Sequence, residues 1–359
     1  MLLLVAARLF QGSAASLFER ASAALAAGDL AAAEKGLEAA LAKDPRHVPS
    51  LGNLGVVYSR TGRPSAAIAV YQRALKLAPD EPGLLFNLGL AHMKLDQHAA
   101  AKPLFRRIAK LGKPGAQLRE LLATTQLLTG ETAAALAALI ELEREDPANS
   151  GVQYLLAVGH LKNKDRAAAG AALEKLMAAL NPAQAHYLAG KAYYETSLFE
   201  DAEKSLRAAV AADPKLPGAQ LELGKTLVSL RREEEALAVL REAAAQAPDD
   251  AEATYYLGAL LAQSGDPVQG IALLEKVRSL RPDSWGAAYY LGKARLREKR
   301  LPAAIALLET ASRLNPSEAA VWLQLSQAYR QAGRAVDAAA AARKVAALKR
   351  SENAPLVLR

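Results

Sequence analysis

The sequence predicts an all-α protein, an α-solenoid of about ten tandem helix hairpins. Three observations lead to this prediction. Ala, the strongest helix former, is abundant, whereas the β-branched residues are sparse. Apolar residues recur at helical spacing, as at Leu51, Leu54 and Tyr58. Prolines follow these patterns at a fixed interval, which is 34 residues between Pro45 and Pro79.

The first helix of each repeat is predicted from an apolar face with a small residue at its centre. In the second repeat the positions i, i+3, i+4 and i+7 of this face are Leu51, Leu54, Gly55 and Tyr58. Because Gly55 has no side chain, we expect a second helix to approach closely there. Gly62 is expected to end the first helix and to open the turn.

The second helix of each repeat is predicted from a small residue followed by a bulky one. Ala67 and Tyr71, four positions apart, form its inward face in the second repeat. Pro79 is expected to end this helix, because a proline pushes the residue before it out of the α region. A single hairpin cannot bury its apolar face alone, so neighbouring hairpins must stack.

The same slots recur along the chain, with a few weak points. The fourth repeat has Ala123 in place of the Gly and Arg119 in a slot that is usually apolar, and the last repeat has Ser326. Pro182 is one residue out of phase with the other prolines, so the fifth repeat is one residue short. The predicted repeats span residues 14–47, 48–81, 82–115, 116–149, 150–182, 183–216, 217–250, 251–284, 285–318 and 319–352.

This combination of period and slots resembles the tetratricopeptide repeat (TPR) family over residues 14–352. The resemblance implies a right-handed superhelix in which the first helices line the concave side. It also implies a protein that binds other proteins through that side. Fold alone does not define a function, so the face of the first helices has to be considered residue by residue.

The two ends of the array leave alternatives open. Residues 1–13 align with the end of a second helix from an incomplete preceding repeat, through Leu3, Ala6, Ala7 and Leu9. The other interpretation is a signal-like segment, although Arg8 interrupts its apolar run. We therefore expect a cytoplasmic protein, or a periplasmic or exported one if the segment is a signal. Residues 353–359 form a tail after a last helix without an evident polar cap, and an uncapped end suits a homo-oligomer.

The sequence carries no recognisable catalytic constellation. The absence of Cys excludes disulfides, thiolate metal sites and thiol catalysis. The five His include no zinc-binding pair at i, i+4, and no phosphate-binding or nucleophile motif occurs. No apolar run is long enough to cross a bilayer. We expect neither an enzyme nor a cofactor, and the net charge of +8 is too dispersed to indicate a nucleic-acid partner.

Binding is expected on the face of the first helices that the resemblance turns toward the concave side. Aromatic residues are frequent three positions before the Gly slot, although only 5% of the chain is aromatic. Lysines one position after that slot give Tyr–Lys pairs at i, i+4. The predicted peptide-binding residues are Asn53, Arg60, Phe86, Asn87, Lys94, Tyr154, Tyr187, Lys191, Lys225, Tyr255, Tyr289 and Lys293. The alternative is that the aromatic residues fill gaps between repeats and the lysines form a solvated face.

The expected function is that of a non-catalytic scaffold that binds peptide segments of partner proteins, with acidic character. Two alternatives are the recognition arm of a larger enzyme, such as an O-GlcNAc-type glycosyltransferase, and a self-associating envelope or assembly factor. Asn53 and Asn87 supply only two rungs of the asparagine ladder seen in such transferases. The five-residue clamp by which some family members hold chaperone tails is missing, so that ligand class is not expected.

Overall fold

The computed structural model describes residues 12–112, 114–264 and 266–352. Within these ranges it contains twenty α-helices and no strand, which confirms the predicted all-α fold of helix hairpins. None of the described helices is long and apolar enough to cross a membrane. The predictions for residues 1–11 and for the tail 353–359 lie outside the described residues. Residue contacts divide the chain into two compact parts, an N-terminal part, Met1–Leu198, and a C-terminal part, Phe199–Arg359.

The N-terminal part contains eleven helices. In chain order they are α1 (Ala14–Ala26), α2 (Leu30–Lys43), α3 (Val48–Arg60), α4 (Pro64–Leu77), α5 (Pro82–Met93), α6 (His98–Leu111), α7 (Ala116–Leu128), α8 (Thr132–Glu145), α9 (Ser150–Lys162), α10 (Arg166–Ala179) and α11 (Pro182–Glu195). Each odd-numbered helix up to α9 packs against the helix that follows it, and the pair forms an antiparallel hairpin. Odd helices also touch odd helices of the next repeat, as α1 does α3 and α9 does α11.

The C-terminal part contains the other nine described helices. They are α12 (Phe199–Ala212), α13 (Ala219–Ser229), α14 (Glu233–Gln246), α15 (Ala251–Ser264), α16 (Pro267–Leu280), α17 (Trp285–Arg297), α18 (Leu301–Leu314), α19 (Ala319–Gln331) and α20 (Ala335–Glu352). The hairpins α13/α14, α15/α16, α17/α18 and α19/α20 stack in order, and α17 contacts both α15 and α19. The first helices therefore form one layer in each part, and the candidate binding residues belong to this layer.

A residue in the left-handed region closes every described turn between a first and a second helix. Gly62 is at φ +70°, where a glycine carries no steric penalty, so the predicted role of this slot is confirmed. Five other turns place a residue with a side chain in the same conformation, with φ from 56° to 61°, namely Asp96, Lys164, Ser197, Arg231 and Lys299. What the turns share at this slot is therefore the left-handed backbone conformation, and the residue there need not be a glycine. Gly265, in the equivalent slot, lies outside the described residues.

Close approach of the two helices in a hairpin depends on a glycine opposite a bulky side chain. Gly55 in α3 faces the ring of Tyr71 in α4, and Gly89 in α5 faces Phe105 in α6. Both rings are almost fully buried, at 1% and 0% exposure. These contacts confirm the predicted small-to-bulky packing. The same arrangement recurs with a leucine in the C-terminal part, where Gly224 faces Leu240.

Two irregularities of the sequence have local structural explanations. Arg119, which occupies a usually apolar slot in α7, forms an ion pair with Glu145 at the end of α8, while Ala123 is fully buried. Pro182 is the first residue of α11, capped by Asn181, whose side chain accepts from the Gln184 N–H at 2.9 Å. The preceding helix α10 already ends at Ala179, so Pro182 belongs to the start of the next helix. A proline suits the first turn of a helix because no hydrogen bond is lost there.

Candidate functional site

The predicted binding residues lie on the first helices of repeats or at a residue that caps one. Eight of them belong to the N-terminal part. Seven lie on α3, α5, α9 and α11, and the eighth, Lys94, is the C-cap of α5. The other four lie on α13, α15 and α17 of the C-terminal part. The structure therefore gives two groups of candidate residues, one in each part.

The two predicted asparagines, Asn53 and Asn87, lie on first helices of the N-terminal part. The Asn53 side-chain amide donates to Ser22 Oγ at 2.9 Å, which joins α3 to α1 of the preceding repeat. Asn87 is partly buried on α5. Asn53 thus helps to hold neighbouring repeats together.

The aromatic residues Phe86 and Tyr154 connect helices of the N-terminal part. The Phe86 ring lies 6.1 Å from the Phe105 ring, between centroids, at an interplanar angle of 57°. The Tyr154 hydroxyl donates to Glu195 Oε1 at 2.5 Å and so links α9 to α11. The Tyr154 contact joins two neighbouring repeats, whereas the Phe86 contact lies within the third repeat.

Cations near the ends of first helices reach back to the preceding repeat. Lys94 Nζ donates to the Ser59 carbonyl at 3.0 Å, and the Arg60 guanidinium lies 3.5 Å from the Leu25 carbonyl. Each contact spans 35 residues of sequence. A cation at the C-terminal end of a helix is favourable, because the last carbonyls are unpaired and the helix dipole is negative there. These two residues therefore stabilise the stacking of repeats.

Tyr187 and Lys191 form the predicted i, i+4 pair on α11. The Lys191 ammonium lies 5.6 Å from the centroid of the Tyr187 ring, within the range of a cation–π interaction. Both side chains are partly exposed. The pair therefore presents an aromatic surface and a positive charge together.

Lys225 in α13 is neutralised within the chain. Its ammonium lies 2.9 Å from Glu222 and 3.2 Å from Glu252, and only 12% of the side chain is exposed. Burial alone would lower the pKa of the Lys225 ammonium, but Glu222 and then Glu252 outweigh burial and raise it. Lys225 is thus committed to an internal ion-pair network.

Tyr255 in α15 packs into the next repeat. If Gly286 carried a Cβ atom, that atom would lie only 2.5 Å from the Tyr255 hydroxyl oxygen. The Tyr255 side chain therefore occupies space that is open because residue 286 is a glycine. Its centroid is 5.1 Å from the Tyr256 ring and 6.0 Å from the Tyr290 ring. Burial, followed by the neighbouring tyrosines, raises the pKa of the Tyr255 hydroxyl. Tyr255 is therefore primarily a packing residue.

Tyr289 and Lys293 form a second Tyr–Lys pair, on α17, within a larger aromatic cluster. The Lys293 ammonium lies 5.5 Å from the ring centroids of both Tyr289 and Tyr290. Trp285 stands 6.5 Å from Tyr289. Burial raises the pKa of Tyr289 to about 12. Burial and then the neighbouring Arg297 lower the pKa of Lys293, the opposite of the direction at Lys225.

The comparison with family models identifies the repeats. The model described as a tetratricopeptide repeat matches residues 18–82, 154–217, 221–284 and 291–355, which is more than half of the chain. The chain belongs to the tetratricopeptide repeat family. A second model with the same description matches residues 60–124 and 261–316. Repeats of this family are protein-interaction modules, so the chain has the architecture of a protein-interaction scaffold.

Solved TPR structures are similar to this chain at low identity. A crystal structure of MamA is 20% identical with a TM-score of 0.40, covering 50% of this chain and 98% of its own. MamA from Desulfovibrio magneticus RS-1 is 22% identical with a TM-score of 0.42, covering 49% and 99%. Yeast Tom70 is 15% identical with a TM-score of 0.44, covering 93% and 92%. At these identities the likeness concerns the fold alone. No curated protein matches significantly.

Sequence reasoning did not find one feature of this TPR array. A pocket of about 320 Å³ lies between α17 and α19, next to the predicted residue Lys293. Its other polar lining residues are Arg297, Lys299, Gln324, Gln327 and Gln331. The signal was present in the sequence, since Gln327 and Gln331 occupy in the tenth repeat the slots of Lys293 and Arg297 in the ninth. Only the packing of the two repeats shows that these slots face each other.

Proposed function

We propose that this chain is a non-catalytic scaffold whose first helices bind peptide segments of partner proteins, with a preference for acidic segments. The observation that carries the proposal is the partly exposed Tyr–Lys pair, present at Tyr187/Lys191 and again at Tyr289/Lys293. Among the described residues, neither Lys has a carboxylate within ion-pair distance. Each pair therefore offers a flat apolar surface together with an uncompensated positive charge.

Such a pair suits peptide recognition for physical reasons. A tyrosine supplies a large contact area at a low cost in conformational entropy. A lysine steers acidic segments toward the surface and disfavours basic ones. The remaining predicted residues mostly hold the repeats in register, as Asn53, Lys94 and Lys225 do.

A peptide-display selection against the full chain tests this proposal. We expect enriched sequences that contain acidic and apolar residues. The variants Tyr187→Ala/Lys191→Gln and Tyr289→Ala should weaken binding of the selected peptides by about tenfold, the loss typical of a central aromatic contact. Lys204→Gln is a suitable control, because Lys204 is exposed on the second helix α12. If no peptide is enriched, the proposed function is wrong; if both variants bind as the wild type does, the assigned surface is wrong.

The alternative functions remain predictions. A recognition arm of a larger enzyme and a self-associating assembly factor were inferred chiefly from the two ends of the chain, and residues 1–11 and 353–359 lie outside the described residues. The localisation likewise remains a prediction, since it depends on the segment 1–13.

A further inference from the structure

The pocket between α17 and α19 has an unusual charge pattern. Lys293 and Arg297 stand one helical turn apart on α17, with a side-chain spacing at which like charges repel. Among the ten predicted repeats, the ninth alone carries a cation in both of these slots. In the sixth repeat the two slots hold Lys191 and Glu195, and in the seventh they hold Lys225 and Ser229. The ninth repeat therefore holds two cations close together, at a cost that a bound anion would relieve.

No carboxylate of the described residues compensates these cations. Lys293 Nζ has Gln263 Oε1 as a neighbour at 3.4 Å, and the Arg297 guanidinium donates to the Ala262 carbonyl at 2.5 Å. The contrast with Lys225 is direct, because that lysine occupies the same slot two repeats earlier and is paired with two glutamates. The pocket thus carries the positive charge that a partner's anion would neutralise.

The residues around the cations supply neutral hydrogen-bond donors. Gln324, Gln327 and Gln331 are spaced i, i+3 and i+7, which places them on one face of α19. A glutamine amide can donate to an anion without adding charge of its own. The buried Leu296 adds an apolar contact beside the two cations. Lys299, in the left-handed turn that follows α17, brings a third cation to the same pocket.

We propose that this pocket binds the carboxylate of an Asp or Glu side chain in the partner's peptide, with Lys293 and Arg297 as its charged ligands. The inference rests on the proposed function and names the subsite that would give it acidic specificity. Arg297 is held by its bond to Ala262, which leaves its other N–H groups available to a carboxylate. The Lys293 ammonium lies 5.5 Å from each of two tyrosine ring centroids, and these contacts restrict the side chain before a ligand binds. The pocket volume of about 320 Å³ accommodates an acidic side chain with its bridging waters.

The titration of Lys293 is consistent with this assignment. Burial, followed by the charge of Arg297, lowers its pKa, whereas a nearby carboxylate would raise it. A bound acidic peptide is therefore expected to raise the pKa of Lys293. This shift can be followed by NMR through the side-chain carbons next to the amine.

Fluorescence anisotropy with labelled hexaglutamate, and with hexaglutamine as its neutral counterpart, tests the pocket directly. We expect the full chain to bind hexaglutamate and not hexaglutamine, with an affinity that falls as salt is added. The Lys293→Gln/Arg297→Gln variant should bind about tenfold more weakly or worse. Lys204→Gln/Arg241→Gln removes the same net charge from exposed positions of second helices and should bind as the wild type does.

A second variant acts from the opposite wall of the pocket. Gln327→Glu would place a carboxylate of the chain itself beside the cations, and we expect it to block hexaglutamate while raising the melting temperature slightly. The carboxylate subsite is overturned if hexaglutamate does not bind, or if the variants at positions 293, 297 and 327 bind it like the wild type. Peptide binding in the display selection with unchanged affinity in these variants would leave the proposed function standing without the subsite.

Discussion

Gly55 of α3 lies directly against the ring of Tyr71 in α4, so close that a methyl group on Gly55 would overlap three of the ring carbons. Tyr71 is 1% exposed and cannot swing aside. We therefore predict that Gly55→Ala forces the hairpin apart and costs about 1–3 kcal/mol, more than the gain in helix propensity. Thermal unfolding followed by circular dichroism measures this as a lower melting temperature.

Gly170 offers a matched control for Gly55→Ala. It also lies within a helix, α10, but a Cβ there would meet no atom within 4 Å. Gly170→Ala should therefore raise stability by up to about 1 kcal/mol, because the unfolded chain loses conformational freedom. Equal shifts of the melting temperature in the two variants would contradict the close-approach argument.

The ion pairs of Lys225 predict a large effect of its removal. Lys225→Met leaves Glu222, whose side chain is only 11% exposed, without its countercharge. We expect a loss of about 3 kcal/mol, typical of breaking a buried pair on one side. The double variant Lys225→Met/Glu222→Gln should recover much of this loss. A single variant that melts with the wild type would show that the pair is not stabilising.

Variants of Tyr255 can distinguish a role in packing from a role in peptide recognition. Because its ring fills the space beside Gly286, Tyr255→Ala should create a cavity and cost about 2–4 kcal/mol, whereas Tyr255→Phe should change stability little. We expect peptide affinity to be unchanged in Tyr255→Phe. Chemical denaturation and a binding titration on the same samples distinguish the two roles. A marked loss of affinity in Tyr255→Phe at unchanged stability would assign the hydroxyl to recognition.

The Arg63–Glu34 pair predicts an acid dependence of stability. Two hydrogen bonds, at 2.8 and 2.5 Å, join the guanidinium to both carboxylate oxygens, and Arg63 also stacks 4.5 Å from the Tyr58 ring centroid. The hydrogen bond from Arg63 lowers the pKa of Glu34 despite partial burial. A depressed folded-state pKa gives stability that is complete above the unfolded-state value and is lost as the pH falls through the folded one.

Glu34→Gln should therefore destabilise the protein by about 0.5–1 kcal/mol near neutral pH. The difference from the wild type should close as the pH falls below about 4. Melting temperatures from pH 7 to pH 3 check this. Glu141→Gln is the control, since the Glu141–Arg144 pair is largely exposed on both sides and should contribute nothing measurable. A difference that widened toward acid would reverse the assigned sign.

The helices and turns of this fold could be predicted from the sequence because the residues that determine them lie close together within each repeat. The glycine opposite a bulky residue, the left-handed turn at Gly62 and the helical spacing of apolar residues all lie within one period. The left-handed turns at Asp96 and Lys164 were not predicted, because the backbone conformation there is imposed by the stacked hairpin and not by the residue type.

The candidate site could be predicted only in part. Lys191, Lys225 and Lys293 share one slot, yet Lys225 is neutralised in part by Glu252 from the following repeat. Lys293 instead lies near the Gln263 amide, two tyrosine rings and the cation Arg297. Which carboxylate faces which lysine depends on the register between repeats. Tyr255 likewise packs against the next repeat, which has Gly286 where the tenth repeat has Ala320. Side-chain contacts between neighbouring repeats cannot be predicted from a consensus that treats each position of the repeat separately.

The bonds from Lys94 to the Ser59 carbonyl and from Arg60 to the Leu25 carbonyl both span 35 residues. They depend on the local period and not on absolute position. If residues 48–81 were excised, Lys94 would come to stand 35 residues after Leu25, where Arg60 stands now. Recombination that adds or removes whole repeats therefore preserves these contacts between the repeats that remain. The length of the array can change in evolution by one hairpin at a time.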